Sequence, residues 1–344
     1  MSQACLFSTA RTRVVRAYTA RTVAAILLIG CGGGTADAPG APIEPPASTP
    51  PPAPAPPVEV PSRPFVIGQP ITNSRQWIEY TPGDAPLVIV APHGGLLLPA
   101  ELLDRGCAEC VTVNDANTQA LARAIADSFA VRTGRRPHVV ANLLHRRKFD
   151  GNRDRGEATS GNAEALAPSW EWMHAALDSA KADVVRRAGR GLLIDLHGHA
   201  HAIARLELGY LLGAAQLRQS DAQLGAARAL GQSSIARLAD DARGAPAPGE
   251  LLRGTSSLGG LLEARGIPVV PGPTAAAPLV GEDYFSGGYN TDRHGSRRGG
   301  LVDAVQIECH MPGIRDTPEH RARFAGILTD ALLVLLRERY GWTP

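Results

Sequence analysis

The 344-residue sequence supplies no ready-made nucleophile and no phosphate cradle. It has no Gly-x-Ser-x-Gly, so a serine hydrolase has no elbow to build on. A P-loop is missing, and no complete Gly-x-Gly-x-x-Gly lies beside a strand pattern, which excludes the common nucleotide-binding loops. An excess of one charge is missing too. The formal net charge is +2, and taking the four Arg of the first 30 residues from the 35 basic ones leaves 31 against 33 acidic. A chain this close to neutral has no electrostatic basis for nucleic-acid binding. The apolar run from Thr22 to Gly30 is shorter than the roughly 20 residues a membrane span needs. Cysteine is sparse, at five. Cys107-x-x-Cys110 has no second C-x-x-C to complete a zinc ribbon and no strand-to-helix context for a thioredoxin-type site, so a local disulfide in an oxidising compartment is expected. Cys309 stands alone, and Cys5 belongs to the leader. No internal repeat is visible.

The N-terminus reads as a targeting segment. Arg11, Arg13, Arg16 and Arg21 precede the apolar run, which ends in Leu28-Ile29-Gly30-Cys31 and resembles the lipobox of bacterial lipoproteins. The resemblance implies cleavage before Cys31 and lipidation there, and because Gly32 is not an acidic retention signal the exported protein is expected at the outer membrane, facing the periplasm or the cell surface. Residues 39 to 64 then hold 12 of the 28 prolines. Such a segment favours extended polyproline conformation, reaching about 80 Å at roughly 3.1 Å per residue. The expected organisation is a leader over 1–30, an anchored linker over 31–64 and one folded domain over 65–344.

Within that domain, short apolar runs read as buried strands: Leu87 to Ala91, His138 to Leu144, Leu192 to Leu196 and Ala304 to Ile307. Helical periods fall between and after them at Asn114 to Ala130, Gln216 to Arg243 and Glu319 to Tyr340. Alternating strands and helices predict an α/β fold, a central mostly parallel or mixed sheet flanked by helices, with ligands beyond the carboxyl ends of the strands. Each predicted strand ends in reactive residues. The first leads into Pro92-His93-Gly94-Gly95, and the second into His145-Arg146-Arg147 and Asp150-Gly151-Asn152-Arg153. The third carries Asp195 and leads into His197-Gly198-His199, and the fourth into Glu308-Cys309-His310.

A hydrolytic zinc site needs three His or carboxylate ligands and one open position. His93 and His197 follow buried strands and are flanked by Gly, which suits ligands. The third ligand is Asp115, whose alternative role is a helix N-cap, with Glu101 as competitor. His199 and His201 extend a run of alternate imidazoles past the strand end. Glu308, at the end of a buried strand, is the expected general base. Arg146 and Arg153 suit a substrate carboxylate or a developing oxyanion. Gly287-Gly288-Tyr289-Asn290-Thr291-Asp292-Arg293-His294 reads as a flexible flap carrying a substrate-facing His294.

Taken in order, Pro92-His93-Gly94-Gly95, Asp115, Arg146 with Asp150-x-Asn152-Arg153, Asp195-Leu196-His197, Gly287-Gly288-Tyr289 and Gln306-Ile307-Glu308 resemble the N-formylglutamate amidohydrolase family. The resemblance spans roughly residues 85 to 312. It implies the fold of the zinc carboxypeptidase and aspartoacylase group, one bound Zn2+, His93 and His197 as metal histidines, Asn152 and Arg153 on the substrate carboxylate, and Glu308 as catalytic glutamate. Carboxypeptidases place a Glu three residues after the first His. Here that position is Leu96, so the acidic ligand comes from elsewhere, and similarity to the amidohydrolases selects Asp115. The export signal departs from a cytoplasmic role in histidine breakdown. The expected activity is zinc-dependent hydrolysis of an amide in a small N-acyl amino acid or short acidic peptide. The rivals are a periplasmic carboxypeptidase-like peptidase acting on peptides or cell-wall stems, and a non-catalytic carboxylate-binding lipoprotein.

Overall fold

Four strands, buried throughout except at Gly198, form the middle of the sheet. β3 (Leu87–Ala91), β4 (His138–Asn142), β5 (Gly191–Gly198) and β8 (Val302–Cys309) all run parallel. Their near-continuous apolar sequences are what a strand covered on both faces requires. The computed structural model describes residues 60–61, 64–226, 228–242 and 246–344. The expected leader, the lipidated Cys31 and nearly all of the linker lie outside the described residues. The described residues belong to one compact unit. Among the described residues no helix is long and apolar enough to cross a membrane.

The sheet is completed by β1 (Ile71–Thr72), β2 (Ile78–Thr81), β6 (Leu206–Gly209) and β7 (Val269–Val270), in the order β1-β2-β4-β3-β5-β8-β6-β7. β2 joins β4, and β6 joins β8, antiparallel, so the sheet is mixed. Successive side chains on each strand feed opposite faces. Leu87, Ile89, Leu192, Ile194, Val305 and Ile307 pack with Leu121, Ile125 and Phe129 of the helix Thr118–Thr133 and with Phe324, Leu328 and Leu332 of the helix Pro318–Tyr340. Val88, Val90, Val140, Leu193 and Ala304 face the other way, onto Trp172, Met173, Ala176 and Leu177 of the helix Ala163–Ala188.

That second face builds the site. Along β5 its apolar row continues past Leu193 into Asp195 and His197, and along β8 past Ala304 into Gln306 and Glu308. The two rows are in register, Asp195 beside Gln306 and His197 beside Glu308.

Two expectations change. The single helix expected over Gln216 to Arg243 is broken into Ala214–Leu217, Asp221–Ala226, a 3-10 turn at Ala229–Gln232 and Ala236–Ala242. Ser234 causes the last break: its backbone carbonyl accepts from Ala304 N–H, and its hydroxyl donates to Ala304 O. β4 stops at Asn142 rather than Leu144, because the Asn142 amide donates to Pro92 O and Leu144 O and turns the chain.

Candidate metal centre and hydrolytic site

Three ligand-type atoms converge at the carboxyl edge of the parallel strands. His93 Nδ1 and His197 Nδ1 are 3.1 Å apart, and Asp115 Oδ2 lies 3.2 Å from the first and 3.1 Å from the second. All three residues are buried. Bonds of about 2.0–2.1 Å to a tetrahedral zinc would set its ligands about 3.3 Å apart, close to the edges of this triangle. Asp115 reaches the triangle because it stands before the helix and not on it. The helix starts at Thr118 behind Asn117, which sits at φ 68, and the Asp115 main chain pairs with His93 O. Its carboxylate is therefore free of N-cap duty. Glu101 lies on the surface.

The donor set fits a divalent cation further out as well. A metal-ligating His usually turns its second ring nitrogen to a carboxylate. His93 Nε2 lies 2.5 Å from Asp150 Oδ1, so Nδ1 is the ring nitrogen turned to the triangle. Asp195 Oδ1 stands 3.0 Å from His197 Nε2, with the Asn152 amide nitrogen at 3.2 Å. Burial works to raise the Asp115 carboxyl, but His93 and His197 outweigh it and hold it well below the carboxylate range. Burial likewise works to lower His197, yet Asp195 and Asp115 raise it well above the usual imidazole range. An excess of negative charge thus surrounds the imidazoles, as a cation site requires.

Glu308 stands beside His197 in the register of β5 and β8. It is buried, and its Oε1 accepts from Gln306 Nε2 at 2.8 Å while Oε2 has no partner. Burial pushes its pKa up to about 8, with Asp115 and Asp195 adding to the rise and His197 opposing it. A carboxyl poised near neutrality is what a general base working at pH 7 needs.

Arginines brace the site more than they line it. Arg146 Nη1 donates to Asp115 Oδ1 at 3.2 Å and its Nε to Asp150 Oδ2 at 3.1 Å, so its guanidinium joins two carboxylates of the centre. Arg105, fully buried, donates to Asp150 Oδ2 at 3.2 Å and to Cys110 Sγ at 3.1 Å. Cys107 and Cys110 are disulfide-bonded, with Cα atoms 5.2 Å apart. Arg315 spends its donors on three carbonyls, Cys309 O at 3.0 Å, Ala116 O at 2.6 Å and His199 O at 3.2 Å, each one or two residues from Glu308, Asp115 or His197. It packs against Gly198, where any Cβ would collide with the guanidinium.

Other expected residues are placed differently. The Asn152 side chain faces His197, and its Oδ1 accepts from Asn290 N–H at 2.7 Å. Arg153 is half-buried and pairs with Glu157 at 2.8 Å. His294 is not on a flap. It ends a packed helix, Tyr289–His294, fully buried, with Nε2 2.9 Å from His174 Nδ1 and Nδ1 3.3 Å from Asp178. The polar run that suggested a loop is folded because Asn290 and Thr291 bury their side chains against Asp195 and Gly288. His199 and His201 are also engaged, His199 with Arg205 O and His201 with Glu207. Sequence reasoning gave no role to Asp150, Asp195, Gln306 or Arg105. Alternation supplied a signal for two of them, since Asp195 and Gln306 sit two residues before His197 and Glu308 on the same strand face.

No family model matches the chain, and no curated protein sequence matches it. Solved structures do. An N-formylglutamate amidohydrolase from Ralstonia eutropha is 18% identical, with 74% of this chain and 95% of that one covered, at a TM-score of 0.43. A gene product of Agrobacterium tumefaciens is 15% identical over 74% and 92%, at 0.43. A bacteriophage poly-gamma-glutamate hydrolase is 13% identical over 74% and 86%, at 0.30. The family that the motifs resemble is therefore among the structures this chain is similar to. At these identities and TM-scores no chemistry transfers, so the chemistry has to come from the side chains themselves.

Proposed function

We propose that this chain is a metal-dependent hydrolase of amide bonds, with Zn2+ as the ion and a small N-acyl amino acid or short peptide as substrate. The observation that carries the reading is the triangle of His93 Nδ1, Asp115 Oδ2 and His197 Nδ1, with Glu308 Oε2 unpartnered on the adjacent strand. These three residues would hold the ion, which when bound supplies Lewis acidity and acidifies water. Glu308 takes a proton from the attacking water and passes it to the departing nitrogen. Asp150 and Asp195 keep the two imidazoles turned with Nδ1 inward, and Arg146 fixes the Asp115 and Asp150 carboxylates. Arg153 is the residue for a substrate carboxylate, since its half-exposed pair with Glu157 is of a kind worth about 0–1 kcal/mol and can be exchanged for a ligand. Imidazole and carboxylate also accept other divalent ions, so the metal is read directly in the test.

The leader and lipidated Cys31 read from the sequence would place this activity at a membrane, and that location favours a peptidase acting on peptides or cell-wall stems as the second reading. The test is metal content and turnover on purified protein, using formyl-, acetyl- and succinyl-amino acids and short peptides, with and without chelator. One zinc per chain and chelator-sensitive amine release are expected. A protein that binds no divalent ion and is silent across the panel would be a carboxylate-binding scaffold instead.

A further inference from the structure

The hydrogen-bond balance beside the candidate centre is lopsided. Asp195 Oδ2, Asn290 Oδ1, Gln306 Oε1 and Glu308 Oε2 are all buried and all without a partner. All four side chains are at least nine-tenths buried, at 0%, 0%, 3% and 4% exposure. They belong to one group: Gln306 Nε2 donates to Glu308 Oε1 at 2.8 Å, Asn290 Nδ2 donates to Asp195 Oδ1 at 3.1 Å, and Asp195 and Gln306 are neighbours across β5 and β8. The amide orientations follow from this. Each amide turns its NH2 to a carboxylate, so the oxygen it has left over must be an acceptor. Gly288 closes the group from above, so near that a Cβ would lie 3.0 Å from Gln306 Oε1 and 2.5 Å from Asn152 Nδ2.

Unmet buried acceptors are costly, and a buried carboxylate more so, unless a ligand brings donors. The basic groups that could serve are already committed: Arg146 and Arg105 to Asp150 and Asp115, Arg315 to main-chain carbonyls, and His197 Nε2 to the other Asp195 oxygen, Oδ1. The unpartnered Arg105 Nε belongs to the Asp150 side of the centre. Glu308 Oε2 is the oxygen the proposed reaction uses, which leaves Asp195 Oδ2, Asn290 Oδ1 and Gln306 Oε1; what complements three acceptors, one of them a carboxylate oxygen, is a small cation with three N–H donors.

We propose that Asp195, Asn290 and Gln306 form an ammonium subsite beside Glu308, so that the substrate carries a protonated primary amine near the scissile amide. This rests on the hydrolase reading above and narrows it: the class is aminoacyl amides and short peptides with a free amino end, zwitterionic when Arg153 takes a carboxylate, and not formyl- or succinyl-capped diacids. The amine product released by hydrolysis has the same complementarity.

The probes are glycinamide and acetamide, which differ only by the amino group. Calorimetric titration at pH 7, with and without zinc, is expected to show glycinamide binding at least tenfold tighter. Gln306→Met, which keeps the shape and loses the acceptor, is expected to remove that preference with zinc affinity unchanged, and Gln306→Glu to increase it. Equal affinity for the two amides, or no binding of either, overturns the subsite and means the oxygens are satisfied by water. Absent zinc binding with the glycinamide preference intact overturns the hydrolase reading instead, so the two failures are distinct.

Discussion

Replacing Glu308 by Gln separates the buried carboxyl's chemistry from its shape. The wild-type group is pushed up to about 8 by burial, from 4.5 in the unfolded chain. Below pH 4.5 both states hold the proton, and the group contributes nothing to pH dependence. Between 4.5 and about 8 the unfolded chain ionises while the folded one keeps its proton, so metal-free protein loses stability as pH rises through that window. A tenfold difference in proton affinity between the two states is worth about 1.4 kcal/mol, which puts the loss near 3–5 kcal/mol by pH 8 once relaxation of the site is allowed for. In Glu308→Gln the side-chain oxygen still accepts from Gln306, and no carboxylate has to be buried. The variant should therefore match wild type at pH 4 and exceed it by roughly 5–10 °C in Tm at pH 8.5, taking about 2 °C per kcal/mol for a domain of this size. Thermal unfolding of the chelator-treated protein at the two pH values measures this directly. The same variant, loaded with zinc, should retain the ion and lose amide turnover. A pH-independent difference in Tm would refute the burial argument, and full turnover would remove Glu308 as the base.

Asp150→Asn keeps the contact to His93 Nε2 and removes its charge, so zinc affinity should fall about 10- to 100-fold in a chelator competition, with the fold intact by circular dichroism. Arg315→Met should lower zinc affinity and destabilise the protein by several kcal/mol, because three carbonyls that tie the Asp115, His197 and Glu308 segments together lose their common donor. Denaturant midpoints read the second effect, and an unchanged midpoint would remove Arg315 as the brace. Gly95→Ala should lose about 1–3 kcal/mol, since its Cβ would run into the Leu143 and Leu144 backbone. Unlike the other two, it should leave the zinc affinity of the folded fraction unchanged.

The sequence by itself determined the parallel core and the reactive ends of its strands. Runs such as Leu87 to Ala91 are apolar on both faces, which only a doubly covered strand tolerates, and a residue just past the end of such a run has one place to go. His93, His197 and Glu308 were legible for that reason. The Ser234 break, the packed helix under His294 and the commitment of Arg146 and Arg105 to carboxylates were not legible. Each depends on a partner 4 to 120 residues away in sequence. Between Asp115 and Glu101 the local pattern left the choice open, and only the resemblance selected Asp115. Glu101 follows the Gly-rich turn and Asp115 precedes a helix, and the backbone pairing of Asp115 with His93 is what brings Asp115 to the imidazoles. Local pattern sets which residues are buried at strand ends. Which donors meet which acceptors there is a matter of tertiary packing, because hydrogen bonds are decided by distances of a few tenths of an ångström that no periodicity encodes.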